Sequence, residues 1–165
     1  MDLVLEITLE QGVQTEVAKL MYLGTGKLEH HLVMTQVQTF AHGLGVAPDL
    51  LIFKNITETE NWLVWTRGVL ATNQHLNLNN TNNIQTDAGS LNNTAPTSTV
   101  ITIGADGRTN STTDGKAHIC YVFKQVQGFS KFGKYTGNGA SGTAGDVDGP
   151  FVYTGFKPAW LLVKN

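Results

Sequence analysis

Gly45-Val46-Ala47-Pro48-Asp49-Leu50-Leu51-Ile52-Phe53-Lys54-Asn55 returns near the end of the chain as Gly155-Phe156-Lys157-Pro158-Ala159-Trp160-Leu161-Leu162-Val163-Lys164-Asn165. The glycine, the proline, a leucine, the lysine and the asparagine coincide, and large apolar residues face large apolar residues. A second pair lies upstream of each copy: Tyr22-Leu23-Gly24-Thr25-Gly26 and Tyr135-Thr136-Gly137-Asn138-Gly139. The offset of about 110 residues makes this a repeat, one complete unit followed by the opening of another. In both copies a proline leads into an apolar run. Proline has no N–H to donate, so it belongs at the start or the edge of a strand. The unbroken run Leu50-Leu51-Ile52-Phe53 suits a strand covered on both faces.

Outward from this segment the chain alternates with period two, which places residues two apart on one face of a strand. Leu3, Leu5, Ile7 and Leu9 lie opposite Val4, Glu6, Thr8 and Glu10. Val13 to Leu23 reads as a returning strand, although Glu16 to Met21 also fits a short helix. Leu32, Met34, Gln36 and Gln38 lie opposite Val33, Thr35, Val37 and Thr39. Trp62 and Val64 share one face, Leu63 and Trp65 the other. His75, Asn77 and Asn79 form the wet face of a strand whose other face is Leu76 and Leu78. The Asn-, Thr- and Ser-rich stretch from Asn79 to Thr97 is expected to cross the surface as a long loop. Ser98 to Gly104 and His118 to Val126 are further strands, the latter with Ile119, Tyr121 and Phe123 on one face and Cys120, Val122 and Lys124 on the other. Asp106-Gly107 and Asp114-Gly115 are tight-turn signals. Phe129 to Tyr135 links into the second unit, Gly137 to Gly149 is a loop, and Phe151-Val152-Tyr153 and Trp160 to Val163 are the last strands. Short strands at close spacing with turn residues between them predict an all-β antiparallel β-sandwich, jelly-roll-like. Its expected parts are N-terminal strands over 1–40, a main repeat over 41–134 and a partial second repeat over 135–165. The apolar residues of that last part are too many to hang free; they complete their own sandwich or cover an edge on a neighbour.

The sequence has 165 residues, 15% charged, with a net charge of −2. That leaves no basic excess to hold a polyanion, so nucleic acid is not an expected partner. No apolar run approaches the roughly 20 residues of a membrane span, so no membrane insertion is expected. Met1-Asp2-Leu3-Val4-Leu5-Glu6 carries acid where a signal peptide carries base. The one cysteine, Cys120, excludes an internal disulfide and any multi-cysteine metal site.

Few residues are arranged for chemistry. Gly137-Asn138-Gly139-Ala140-Ser141-Gly142 has the spacing of a phosphate loop, but Thr143-Ala144-Gly145-Asp146 is a poor helix start and a flexible turn is the stronger reading. Asp146-Val147-Asp148-Gly149 resembles the opening of a calcium loop whose closing glutamate is missing. His30, His31, His42, His75 and His118 show no ligand-type pairing, and His42 beside Gly43 is expected to serve a turn. No nucleophile elbow or carboxylate pair is found. The expected catalytic residues, metal ligands and cofactors are therefore none. Trp62 and Trp65, with Asn79 and Asn80, are candidates for contact with a glycan, and an extended strand points the two indoles to opposite faces. Leu3, Leu5, Phe151, Tyr153 and Trp160 are candidates for contact with another subunit or a particle.

Several long strings carry a resemblance. His42-Gly43-Leu44-Gly45-Val46-Ala47-Pro48-Asp49-Leu50, Asn93-Thr94-Ala95-Pro96-Thr97-Ser98, Gly128-Phe129-Ser130-Lys131-Phe132-Gly133-Lys134-Tyr135 and Asp148-Gly149-Pro150-Phe151-Val152-Tyr153 resemble a repeat of structural proteins of tailed bacteriophages, tail-fibre-like proteins among them. The resemblance covers residues 40–165, whereas the first 40 residues match the usual opening only at Tyr22 to Gly26. It implies a non-enzymatic virion protein, assembled in the host cytoplasm and displayed on the particle exterior as capsid decoration or tail appendage. The expected partners are the major capsid or tail protein, a homo-oligomer and, through host attachment, a surface glycan. A lectin-like carbohydrate-binding module is the alternative.

Overall fold

The computed structural model describes residues 37–110, 116–140 and 148–164 in full, and the backbone course of residues 2–7 and 18–23. The described residues form strands and no helix: β1 (Asp2–Ile7), β2 (Ala18–Leu23), β3 (Gln38–Ala41), β4 (Leu50–Asn55), β5 (Leu63–Thr66), β6 (Gln74–Asn77), β7 (Gln85–Thr86), β8 (Val100–Ile103), β9 (His118–Phe123), β10 (Ser130–Tyr135) and β11 (Trp160–Lys164). Every strand pair is antiparallel. The fold is an all-β antiparallel sandwich. Of the stretch from Glu16 to Met21, compatible with either state in sequence, Ala18 to Met21 lie in β2, and Glu16 and Val17 lie outside the described residues. Most of the alternating run from Leu28, and the Asp114-Gly115 turn, lie outside the described residues.

Contacts divide the chain into Glu16–Lys124 and a second unit built from both ends, Met1–Thr15 with Gln125–Asn165. In the larger unit the sheet order is β2-β9-β4-β5-β6-β7, with β7 a two-residue edge, and β3 and β8 form a separate pair. Phe53 of β4 meets Phe40 of β3 edge to face, ring centroids 6.4 Å apart, so the pair covers that face of the large sheet. The rows of side chains on this face are Phe53, Cys120 and Leu63, then Leu51, Val122 and Trp65, all in register and all buried. Ile101 and Ile103 of β8 close the layer. The opposite face also buries Leu50, Ile52 and Val64, as the unbroken apolar run requires. Burial alternates along β9 as the sequence expects, with His118, Cys120 and Val122 inside.

The Asn79–Thr97 stretch keeps most of its polar residues exposed, but it buries Ser90, Leu91 and Pro96 and contributes β7. Gly104 explains part of this. A Cβ there would lie 2.3 Å from the carbonyl oxygen of Gly89, so only glycine lets the 89–91 turn close on the end of β8.

The smaller unit is a three-stranded sheet of order β10-β1-β11. It reproduces half of the large sheet. Gly45 and Gly155 both have positive φ, +72° and +87°. The chain then follows the same course of bends and enters a strand at Leu50 in one copy and at Trp160 in the other. β4 pairs with β9 through Leu50↔Phe123 and Lys54↔Ile119, and β11 pairs with β1 through Trp160↔Ile7 and Lys164↔Leu3. The same frame continues outward. Phe123 faces Ala18 of β2, and Ile7 faces Ser130 of β10. Thus β10, β1 and β11 stand where β2, β9 and β4 stand, and the strand in the place of β9 comes from the N-terminus. Phe151-Val152-Tyr153, expected as a strand, is irregular chain instead; Lys131 Nζ donates to the Tyr153 carbonyl at 2.7 Å, and no ladder forms.

Equivalent leucines therefore have opposite environments: Leu51 is 0% exposed, whereas Leu161 is open to solvent at 54%. In urea or guanidinium titrations Leu51→Ala should cost about 2–5 kcal/mol, and Leu161→Ala should stay within about 0.5 kcal/mol of the parent protein.

Candidate functional site

Three groups of residues compete for the functional role: a buried polar cluster, the Trp62 surface and the apolar surface of the smaller unit. The cluster forms where the Asp106-Gly107 turn meets β6 and the 87–90 turn. Asp106 accepts from the backbone N–H of Arg108 at 2.9 Å, which with Thr109 N–H to Asp106 O at 2.9 Å closes the turn the sequence signals. Its carboxylate also takes the Arg108 guanidinium side-on, Nε to Oδ1 at 2.8 Å and Nη2 to Oδ2 at 2.7 Å, and the Ser90 hydroxyl at 2.5 Å. Arg108 reaches further, to Asp87 Oδ2 at 2.6 Å and, through Nη1, to His75 Nε2.

His75 is 1% exposed, which corrects its expected place on a wet face. The reason is that β6 is not an outer strand: the chain beyond it returns as β7, and Arg108 lies across the ring. With Nε2 accepting from Arg108, the proton sits on Nδ1. That atom and Asn77 Oδ1, two residues along on the same face, are buried without a hydrogen-bond partner among the described residues. Burial, and then the positive charge of Arg108, hold the His75 pKa below the usual histidine value. For Asp106, burial works against the carboxylate, but the Arg108 and Ser90 hydrogen bonds outweigh it and bring the pKa down to about 2.

This arrangement is a strut. Asp106 is saturated with donors, Ser90 points at a carboxylate and not at a histidine, and the guanidinium spans three acceptors on separate segments. A planar fork holds several partners at once in a way an ammonium cannot. The other buried polar residues do similar work. His42 Nδ1 accepts from Leu44 N–H at 3.2 Å and Nε2 donates to Thr97 O at 3.2 Å, so it does serve its turn. Asn55 Oδ1 accepts from Thr57 and Glu58 N–H at 2.9 and 2.8 Å, and Nδ2 donates to Gly107 O at 2.9 Å, which is also reached by His118 Nε2 at 3.1 Å. An asparagine that turns the chain in this way at the end of β4 gives the repeated segment a physical reason to end on that residue. Burial raises the Cys120 thiol well above its ordinary pKa, which makes it inert. Among the described residues no group of three or more His, Cys, Asp or Glu side chains is placed to hold a metal ion.

The glycan candidates separate. Trp65 is 2% exposed, with Nε1 donating to Ala71 O at 3.1 Å, so it has no open face; β4 and β6 flank its strand and β3–β8 cover it. Trp62 is half-buried. It stacks against Tyr121 at 6.5 Å with planes 11° apart, and Lys54 Nζ lies 5.9 Å from its ring. Asn79 Oδ1 accepts from Trp62 N–H at 2.9 Å and its Nδ2 donates to Asn61 Oδ1 at 3.1 Å, so this side chain braces the Trp62 turn. Asn80 Oδ1 accepts from Asn82 N–H at 3.0 Å.

In the smaller unit Phe151, Tyr153 and Trp160 are all exposed, Phe151 at 88%. Lys131 lies 5.6 Å from the Tyr153 ring. Beside it a groove of about 450 Å³ is lined by Gln125, Val126, Ser130, Lys131, Tyr153 and Phe156. Leu3 and Leu5 lie on β1, whose two backbone edges are both used, by β10 and β11. Asp146 and Val147 of the calcium-like string, and Ser141 and Gly142 of the glycine string, lie outside the described residues. Asn138 and Gly139 are irregular chain and open no helix.

Sequence reasoning missed the Arg108 cluster because His75, Asp87, Ser90 and Arg108 come from separate turns and strands. The one local signal was an arginine two residues after a turn aspartate. The cluster generates a stability prediction. Below about pH 6.5 an unfolded chain protonates His75 while the folded chain resists, so stability falls as pH falls through that value. Asp106 adds a second loss that begins near about pH 3.9 and is complete below its folded value of about 2. Thermal melts from pH 8 to 4 should show a declining Tm, and His75→Gln should flatten the decline between pH 6.5 and 5. Arg108→Met leaves two carboxylates unpaired and should cost about 3–5 kcal/mol; Arg108→Lys should restore only part of it.

No curated protein and no solved structure matches the chain. One family model does, over residues 31–165, which spans β3 to β11 and both copies of the repeated segment. The chain belongs to the family described as a domain of unknown function, DUF7483.

Proposed function

We infer that this chain is a non-enzymatic structural protein of a tailed-phage particle, displayed on the exterior as head decoration or tail appendage. The observation that carries the reading is the internal repeat: three strands in the same order and register as half of the large sheet, with Phe151, Tyr153, Trp160 and Leu161 exposed beside them. A sheet segment repeated within one chain suits serial or lateral assembly. The titratable groups support this, because Asp106, Arg108, His42 and His118 are spent on holding turns. The resemblance of residues 40–165 to phage structural repeats supplies the particle, and the exposed Phe151, Tyr153 and Trp160 supply a surface for the major capsid or tail protein or for further copies. Mass spectrometry of purified particles should find this chain in stoichiometric amounts; its absence from them would refute the reading.

A second reading, a glycan-binding module used in host attachment, is favoured by the half-buried Trp62 beside Tyr121 and Lys54, since a braced indole is a ready platform for a sugar ring. On a glycan array Trp62→Ala should abolish any signal, and Trp65→Ala is uninformative because it empties the core.

A further inference from the structure

We infer that the larger unit is built to hold one buried water molecule, bound between His75 Nδ1 and Asn77 Oδ1. The site lies within Glu16–Lys124, so it does not depend on what the smaller unit assembles with.

Both side chains belong to β6. They stand two residues apart and so project from the same face of the sheet. Both are buried almost completely. The strand is flanked on each side, with His75 opposite Gln85 of β7 and Asn77 opposite Leu63 of β5. Nδ1 of the histidine and Oδ1 of the asparagine are the buried side-chain atoms that find no hydrogen-bond partner among the described residues. Buried polar groups are met by protein or by ordered water in the great majority of cases. Two unmet atoms on one face of one short strand point to a partner that they share.

The chemistry of that partner follows from the tautomer. Arg108 Nη1 can only donate, so Nε2 of His75 accepts and Nδ1 carries the proton. The partner must therefore accept from an N–H on one side and donate to an amide oxygen on the other. A metal cation or an ammonium ion cannot accept, and a halide or a carboxylate cannot donate. Water does both. The spacing suits it as well. Residues two apart on a strand have Cβ atoms about 7 Å apart, and two hydrogen bonds of about 2.8 Å meeting at a water span about 4.6 Å, so each side chain has to lean inward by about 1 Å.

The water has a positioning role. It holds the proton on Nδ1 and so keeps Nε2 an acceptor for Arg108, whose other side-chain bonds run to Asp106 and Asp87. The fastening of the two turns thereby extends along β6 to Asn77, its last residue.

The test is NMR spectroscopy of the full chain labelled with nitrogen-15. Two-bond correlations within the ring should show His75 protonated at Nδ1 and bare at Nε2. Carbon-bound protons of His75 and Asn77 should give water cross-peaks of opposite sign in NOE and ROE spectra. That pattern marks a water held longer than the tumbling time, whereas proton exchange gives one sign in both. Asn77→Leu, close in shape, separates the cases further. With a bridging water, the substitution strands the Nδ1 proton, so the water cross-peaks to His75 should vanish and the Tm should fall. With an empty gap, it removes an unmet oxygen from the core, and the Tm would rise. The opposite tautomer, no water cross-peaks in the parent protein, or a higher Tm for Asn77→Leu would overturn the proposal. The parent spectra decide it even if the Asn77→Leu chain fails to fold.

Discussion

A strand inside a sheet must satisfy its backbone donors and acceptors on two sides, and β4 is the strand on which this protein meets that demand most fully. It is paired by β9 and β5, packed by Phe40 from above, and braced at each end by side chains that bind its flanking carbonyls and amides. The rest of the larger unit follows from that placement. β5 must be apolar on both faces because it lies next to β4, and β9 must alternate because its outer face is only half covered. β11 is the same segment, paired on one edge by β1, and among the described residues no strand pairs with the other.

Polar residues in this fold act mainly as fasteners between turns. Arg108 ties the Asp106 turn to the 87–90 turn and to β6, and Gly107 receives both Asn55 and His118. An antiparallel sandwich connects its strands with loops that would otherwise be free to separate, and buried charge-assisted hydrogen bonds hold them in one arrangement. The same bonds take the residues out of chemistry. Asp106 is held as a carboxylate by the Arg108 and Ser90 hydrogen bonds, and burial, with the charge of Arg108 second, keeps the His75 pKa below the usual histidine value.

Much of the strand content was legible because it depends on local rules. The alternation in β9, the turn at Asp106-Gly107 and the proline ahead of an apolar run each reflect constraints acting over a few residues. Errors arose where coverage comes from far along the chain. His75 reads as a wet-face residue until Arg108, from a distant turn, lies across it. Phe151-Val152-Tyr153 has strand composition, but among the described residues it pairs with no strand and is irregular chain. Trp62 and Trp65 look alike in sequence, and the difference between a half-open ring and a sealed one was set by β3–β8 and by Tyr121.

What the sequence determined by itself is the kinship of the two glycine-to-asparagine segments and their common conformation. A glycine free to adopt positive φ, a proline at the entry and an apolar run after it specify a bend and a strand without outside help. Which edges of that strand are covered was decided only in three dimensions. Pairing is a contact between residues far apart in the chain, and nothing in Trp160 to Lys164 records that its neighbour would be the N-terminal strand.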